Sequence, residues 1–215
     1  MKKKLIIFDM DGVLFDSCKL VNDFFLNMYP TMTQDEMNEI LSGNFHEGLE
    51  KFKLNNNPIM ETQEEKEDRQ RVYSTEKKKT LLFAGIMDLL QILHSSGFVL
   101  AINTSALGIN CIPLLENSDI KDLFDFVATA EVSRSKVEKF KAIEDKYKIP
   151  KKDIIFITDT LGDIREADIS GISTIAVTWG AHSRSFFENK DCKNIVKIVD
   201  TVVDLKNYLL EWSVV

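Results

Sequence analysis

Cysteine is scarce in this sequence, and its placement excludes several classes of protein. The chain contains only three cysteines, Cys18, Cys111 and Cys192, and they lie far apart. An odd number of widely spaced thiols makes no disulfide framework, and none of the spacings is that of a zinc site. We therefore expect a protein of a reducing compartment, where structural disulfides are rare.

The sequence also lacks an excess of basic charge and any long apolar run. It has 27 basic against 34 acidic residues, a net charge of −7, so it offers no broad attraction for nucleic acid or anionic membrane. The longest apolar runs are far too short to span a bilayer, and the four apolar residues between Lys4 and Asp9 are too few for a signal-peptide core. We expect a cytoplasmic protein without a nucleic-acid or membrane partner; its oligomeric state is left open.

What the sequence does contain is an alternation of short apolar runs with helical patterns. A continuous apolar run is typical of a strand covered on both faces. Runs of this kind occur at residues 5–8, 98–102, 126–130, 154–157 and 174–177, with a further candidate at 195–199. Helical spacing of apolar residues separates most of them. The alternation predicts an α/β fold with a doubly wound parallel sheet.

Residues 16–80 interrupt this alternation and read as a helical insertion after the first strand. An apolar stripe follows Ser17, a capping box opens a second helix at Thr33, and a third short helix follows Phe45. Residues 61–79 are dense in mixed charge and predict a solvated helix. We therefore assign residues 1–15 and 81–215 to an α/β core domain and residues 16–80 to a small helical cap domain.

Chemically active side chains follow the predicted strands. Six of them stand at or just beyond strand ends: Asp9, Asp11, Thr104, Lys136, Asp159 and Asp163. In an open parallel sheet, ligands bind beyond the carboxyl ends of the strands. Gathered carboxylates repel each other unless a cation lies among them, and Mg²⁺ is the usual cation beside phosphates. The set therefore predicts a metal and phosphate site, in which one carboxylate attacks phosphorus and another moves protons.

These residues also carry a family resemblance. Asp9-Met10-Asp11-Gly12-Val13-Leu14 resembles the DxDGT/V motif of the haloacid dehalogenase-like superfamily. Thr104, Lys136 and the segment 158–163 resemble its second, third and fourth motifs, in the family's order. The insertion resembles the small C1 cap of phosphoglycolate phosphatase-like members. The resemblance implies a Rossmann-like core and a phosphatase.

The resemblance also implies roles. Asp9 would be the nucleophile and a Mg²⁺ ligand, and Asp11 the general acid and base, with its backbone carbonyl on the metal. Thr104 and Lys136 would bind the substrate phosphate. Asp159 would ligate Mg²⁺, and Asp163 would ligate it or support the ligands from behind.

Three positions depart from the family pattern, and one position excludes other activities. Thr158 stands where glycine is usual, Ser105 where asparagine is frequent, and Val137 where many relatives have proline. The dehalogenases of the superfamily lack an acid like Asp11, and its phosphonatases carry a small residue there. Phosphomutases of the β-phosphoglucomutase kind carry a histidine shortly after the first motif, where this chain has residues 18–21.

The sequence therefore favours a Mg²⁺-dependent phosphohydrolase that cleaves a small phosphorylated metabolite through an aspartyl-phosphate. A phosphomutase and a non-catalytic binding module on the same fold are the alternatives. The substrate and the cap residues that select it are left open. His46, Lys51 and Lys53 are candidates for contact with substrate, and Trp179-Gly180 is a candidate for lining the site.

Overall fold

The computed structural model describes residues 3–56, 61–188 and 192–214. In this part of the chain six parallel strands form one sheet in the order β3-β2-β1-β4-β5-β6. The strands are β1 (Leu5–Phe8), β2 (Val99–Asn103), β3 (Phe126–Ala128), β4 (Ile154–Thr158), β5 (Ser173–Val177) and β6 (Ile195–Val199). The predicted doubly wound α/β fold is confirmed.

Strand β1 lies in the middle of the sheet because its side chains serve two cores. All four residues are fully buried, and Leu5 pairs with Val99 on one side and Ile154 on the other. Side chains alternate across a strand, so Ile6 and Phe8 join one apolar cluster while Leu5 and Ile7 join the other. A strand that is apolar on both faces is stable only between two helical layers, which places its carboxyl end centrally.

The insertion after β1 forms four helices with a small core of their own. They are α1 (Cys18–Met28), α2 (Gln34–Leu41), α3 (Phe45–Asn55) and α4 (Gln63–Lys77). The predicted capping box at the start of α2 is present: Thr33 Oγ1 accepts from the Glu36 backbone N–H, and the Glu36 carboxylate accepts from the Thr33 N–H. Tyr29, Met37 and Phe52 belong to the core between these helices. Residues 57–60 lie outside the described part.

Six further α-helices of the described chain cover the sheet. They are α5 (Ile86–Ser95), α6 (Gly108–Asn117), α7 (Lys136–Tyr147), α8 (Leu161–Ser170), α9 (Arg184–Glu188) and α10 (Val202–Val214). The sequence did not predict α6, because Pro113 lies inside it and cannot donate to the carbonyl four residues earlier. Buried Cys111, Leu114 and Leu115 hold this helix against the sheet nonetheless. No helix among the described residues has the length and apolar character needed to cross a bilayer.

Candidate active site

Asp9 lies at the carboxyl end of β1 and is held by a buried lysine. Lys136 Nζ donates to Asp9 Oδ1 and to Asp163 Oδ2, each at 2.6 Å. Thr158 Oγ1 also donates to Asp163 Oδ2 at 2.6 Å. These four side chains come from β1, α7, β4 and α8, whose ends meet at one edge of the sheet. Thr158, which departs from the family pattern, thus supplies a hydrogen bond that glycine would lack.

Burial sets the charges of this group. It raises the pKa of Asp9 to about 7; Lys136 opposes this rise, and the Asp163 carboxylate adds to it. Burial by itself lowers the pKa of Lys136, but Asp163 and Asp9 outweigh burial and raise it above the ordinary lysine value. Lys136 is therefore held as a buried ammonium between two carboxylates.

Asp159 follows β4 and presents a carboxylate oxygen without a partner. Its Oδ2 accepts from the Ala181 N–H at 2.7 Å and from Cys18 Sγ at 3.6 Å. Its Oδ1 is buried and has no hydrogen-bond partner among the described residues. Burial raises the pKa of Asp159 to about 8, and repulsion from Asp9 adds to the rise. Buried polar atoms are nearly always satisfied, so this orphan oxygen beside a second carboxylate fits a divalent cation.

Backbone approaches Asp159 so closely that only glycine fits. A Cβ on Gly12, whose φ is +75°, would lie 2.0 Å from Asp159 Oδ2, and a Cβ on Gly180 would lie 2.2 Å from the same atom. Gly180 is thus next to the site, as its place after β5 suggested, whereas the Trp179 indole instead donates to the Val13 carbonyl at 3.2 Å. In the described chain no three acidic, histidine or cysteine side chains are already gathered around a cation position.

Asp11 is held by a separate pair of partners. Its Oδ1 accepts from the Ser17 hydroxyl and from the Lys77 ammonium. The Lys77 side chain is fully buried at the end of α4. The prediction of a solvated face for residues 61–79 is wrong at this position, although most of α4 is exposed. Nothing in the local sequence marked Lys77, because its partner lies 66 residues away.

Thr104 stands directly after β2 and its backbone is anchored. The Thr104 hydroxyl accepts from the Ala106 N–H at 3.1 Å, and Lys139 Nζ donates to the Thr104 carbonyl. Lys139 is buried beside the charged Lys136; burial, with Lys136 adding, lowers the pKa of Lys139 to about 8. Asn103 Nδ2 donates to the Lys136 carbonyl at 3.2 Å, which links β2 to the start of α7.

All six predicted site residues line one cavity of about 260 Å³ between the sheet edge and the inserted helices: Asp9, Asp11, Thr104, Lys136, Asp159 and Asp163. His46 lines it as well, whereas Lys51 and Lys53 do not. His182 does not line the cavity. Its Nδ1 accepts from the Leu161 N–H at 3.0 Å, and burial lowers the pKa of His182 to about 4.

A turn of the insertion is seated on the core beside this cavity. Asn44 Nδ2 donates to Glu166 Oε1 at 2.9 Å, and the same oxygen accepts from the Lys136 N–H at 2.8 Å. The Arg165 guanidinium donates to the Ser42 carbonyl. The turn between α2 and α3 is therefore connected through Glu166 to the lysine that holds Asp9.

Comparisons with known proteins found a matching family and structures of the same fold. A model of the family described as "Haloacid dehalogenase-like hydrolase" matches residues 6–177. The chain is 27% identical to the tyrosine-protein kinase PtkA of Mycobacterium tuberculosis, over 96% of this chain and 72% of that protein. It is 26% identical to a phosphoglycolate phosphatase of Aliivibrio fischeri, over 82% and 85% of the two chains. The crystal structure of a predicted phosphatase from Clostridium acetobutylicum shares the fold, with a TM-score of 0.75 and 23% identity over 98% of this chain and all of that one.

Proposed function

The chain belongs to the haloacid dehalogenase-like hydrolase family and is an enzyme of that family, and on this basis we propose that it is a Mg²⁺-dependent phosphohydrolase. Its substrate is a small phosphorylated metabolite, a phosphomonoester. The observation that supports this most directly is the pairing of Asp9 with the buried Lys136 ammonium, beside the unpartnered oxygen of Asp159. A nucleophile, a phosphate-binding cation and a metal ligand then share one cavity.

In the proposed reaction Asp9 is the nucleophile. Lys136 bonds to Oδ1 and fixes the carboxylate, so the other oxygen attacks phosphorus. A bond forms between this oxygen and phosphorus, and the bond from phosphorus to the leaving oxygen breaks. Asp11 donates a proton to the leaving oxygen. Water then attacks the aspartyl-phosphate, Asp11 accepts its proton, and inorganic phosphate leaves with Asp9 restored.

The remaining residues hold the phosphoryl group and the metal. Thr104 and Lys136 bind phosphoryl oxygens, for which charged donors are the strongest partners. The carboxylates of Asp9 and Asp159, with the backbone carbonyl of Asp11, would hold Mg²⁺, and Asp163 supports them through Lys136. Mg²⁺, when bound, offsets the negative charge of these groups and of the phosphate.

The inserted helices, residues 16–80, act in this proposal as a cap over the core formed by residues 1–15 and 81–215. Linkers near residues 15–17 and 80–84 let the cap open for exchange and close for reaction. Closure excludes water while phosphate moves to Asp9. The seating of Asn44 on Glu166 supports a closed arrangement in which the cap and Lys136 are coupled.

The test is Mg²⁺-dependent release of phosphate from p-nitrophenyl phosphate and from a broad panel of phosphomonoesters. Asp9→Asn removes the nucleophile, and we expect a loss of at least about a thousandfold in kcat. Asp23→Asn is the matched control, because Asp23 is a half-exposed residue on α1 that pairs with exposed Lys19 and does not line the cavity. Absence of turnover on the whole panel would refute the proposal. A phosphorylated sugar product without free phosphate would favour a phosphomutase, and Mg²⁺ binding without any turnover would favour a binding module.

A further inference from the structure

The cap side of the cavity is built from aromatic and aliphatic side chains. Phe24, Phe25, Phe45 and Tyr73 line it and contact each other. Their ring centroids lie 4.2 Å apart for Phe24 and Tyr73, 5.2 Å for Phe24 and Phe25, and 5.1 Å for Phe25 and Phe45. Packed rings of this kind form a wall whose shape is set before a ligand arrives. We call these four residues the aromatic wall.

The described cap residues that line the cavity include no lysine or arginine. Lys136, on the core side, is bonded to Asp9 and Asp163. The Arg69 guanidinium lies 5.6 Å from the Phe24 ring centroid, but its Nε and Nη2 donate to the two oxygens of Glu61 at 2.9 and 2.6 Å. A carboxylate or second phosphate on the leaving group would therefore be desolvated against the aromatic wall without a counter-charge, which is strongly unfavourable.

Several polar side chains on this side bond to each other. Asn22 and Gln34 exchange hydrogen bonds at 3.0 Å, and Asn110 Oδ1 accepts from Ser74 Oγ at 2.6 Å. These bonds tie α1 to α2 and α6 to α4, and they add no positive charge to this side of the cavity.

His46 also lines this side of the cavity. Its Nε2 is buried and has no partner among the described residues. Burial lowers the pKa of His46, and the neighbouring Lys139 and Arg134 lower it further, although a bond to the Ser105 backbone opposes them. The imidazole is therefore neutral and adds no positive charge to this side of the cavity.

We propose that the substrate is the phosphate monoester of an uncharged alcohol bearing an aromatic or similarly apolar group. The proposal rests on the phosphohydrolase function and specifies its leaving group. The phosphoryl group lies against Thr104 and Lys136, and the organic group lies against the aromatic wall. The cavity, at about 260 Å³, is smaller than pockets for drug-sized ligands, which suits a single ring.

The first test compares kcat/KM of the full chain with Mg²⁺ for three monoesters of primary alcohols. These are 2-phenylethyl phosphate, 2-phosphoglycolate and glucose 6-phosphate. We expect 2-phenylethyl phosphate to exceed each of the other two by at least about thirtyfold, from burial of its ring. Equal or higher values for phosphoglycolate or the sugar phosphate would overturn the inference while leaving the phosphohydrolase function intact. If the enzyme hydrolyses none of these three substrates and none of the broad panel, both the phosphohydrolase function and this inference are refuted.

The second test places a cation beside the aromatic wall. Val21 lines the cavity from α1, so Val21→Arg gives an anionic leaving group a partner. We expect kcat/KM to rise about tenfold for 2-phosphoglycolate, as a charge-assisted hydrogen bond is gained, and to fall for 2-phenylethyl phosphate. Val72→Arg is the matched control, since Val72 is 55% exposed on α4 and does not line the cavity. Equal losses of kcat/KM for both substrates would contradict the proposal. If Val21→Arg does not fold, the first test, which compares three substrates on the unmodified chain, decides the matter.

Discussion

The contact between Gly162 and Gly43 offers a sharp test of the seated cap. A Cβ on residue 162 would lie 2.0 Å from the Gly43 carbonyl oxygen, whereas atoms in real structures do not approach a Cβ within 3.0 Å. Gly162→Ala therefore requires the two backbones to separate by at least about 1 Å. Leu161 and Ile164 anchor the start of α8 in the core, because both are almost completely buried. The turn at Gly43 must therefore move instead.

Movement of this turn displaces the cap side of the cavity. Leu41 and Phe45, which flank the turn, line the cavity, and Asn44 would lose its bond to Glu166. A displacement of about 1 Å in groups that position a substrate costs about a hundredfold in rate. This corresponds to about 3 kcal/mol of transition-state stabilisation. Alanine is also a better helix former than glycine by about 1 kcal/mol, so α8 itself should not unfold.

The assay is kcat/KM for a phosphomonoester that the enzyme hydrolyses, with thermal unfolding measured in parallel. Gly43→Ala is the matched control, since a Cβ there would meet no atom within 4 Å. We expect Gly162→Ala to lose about a hundredfold while melting close to the unmodified protein. Gly43→Ala should lose far less, because it adds only one methyl group to the cavity lining and displaces no backbone. Activity of Gly162→Ala within threefold of the unmodified enzyme would refute the reasoning, as would an equal loss in Gly43→Ala.

Two further predictions concern buried charges. Lys77→Met removes the cation from Asp11, and loss of one partner of a buried pair should lower the free energy of unfolding by up to about 3 kcal/mol and reduce kcat. Denaturant titration and kinetics compare this variant with Lys78→Met, a change at an exposed neighbour. Equal stability and equal kcat of the two variants would contradict the prediction. In metal-free protein, Asp9 and Asp159 have pKa values near 7 and 8, raised from 3.8. The folded state therefore holds protons that the unfolded state has already lost. Stability should accordingly fall by on the order of 1 kcal/mol between pH 6.5 and 7.5. Mg²⁺ should offset this fall, and Asp159→Asn should weaken both effects in thermal melts; a flat profile would contradict them.

Much of the site followed from local sequence. The residues that follow the strands of a parallel sheet lie at the same edge. Once their strands were recognised, Asp9, Thr104 and Asp159 could therefore be predicted to lie close together. Lys136 and Asp163 followed because each begins a helix at that edge. The structure places all of these, with Asp11, around one cavity. Their chemical roles, the Mg²⁺ requirement and the division into core and cap stay predictions.

The sequence did not announce the partners of these residues. Lys77 lay within a charge run, and such runs are usually solvated; its burial depends on where α4 ends relative to Asp11. Helix α6 was not predicted because a proline inside a segment normally argues against a helix. Burial of its apolar side chains against the sheet stabilises the helix despite Pro113. The sequence did not predict the aromatic wall, since helical periodicity does not say which apolar side chains of the stripe after Ser17 face a cavity.

The sequence by itself determined that an apolar strand ends in two carboxylates and that similar strands bring a lysine, a threonine and more carboxylates to its side. Periodicity and strand direction suffice for that, because they are local properties. Only the tertiary structure decided that Lys136 joins Asp9 to Asp163, that Asp159 keeps an unpartnered oxygen, and that the inserted helices line the cavity with aromatic rings. Those outcomes depend on distances between segments far apart in the chain, which the packing of helices against the sheet sets.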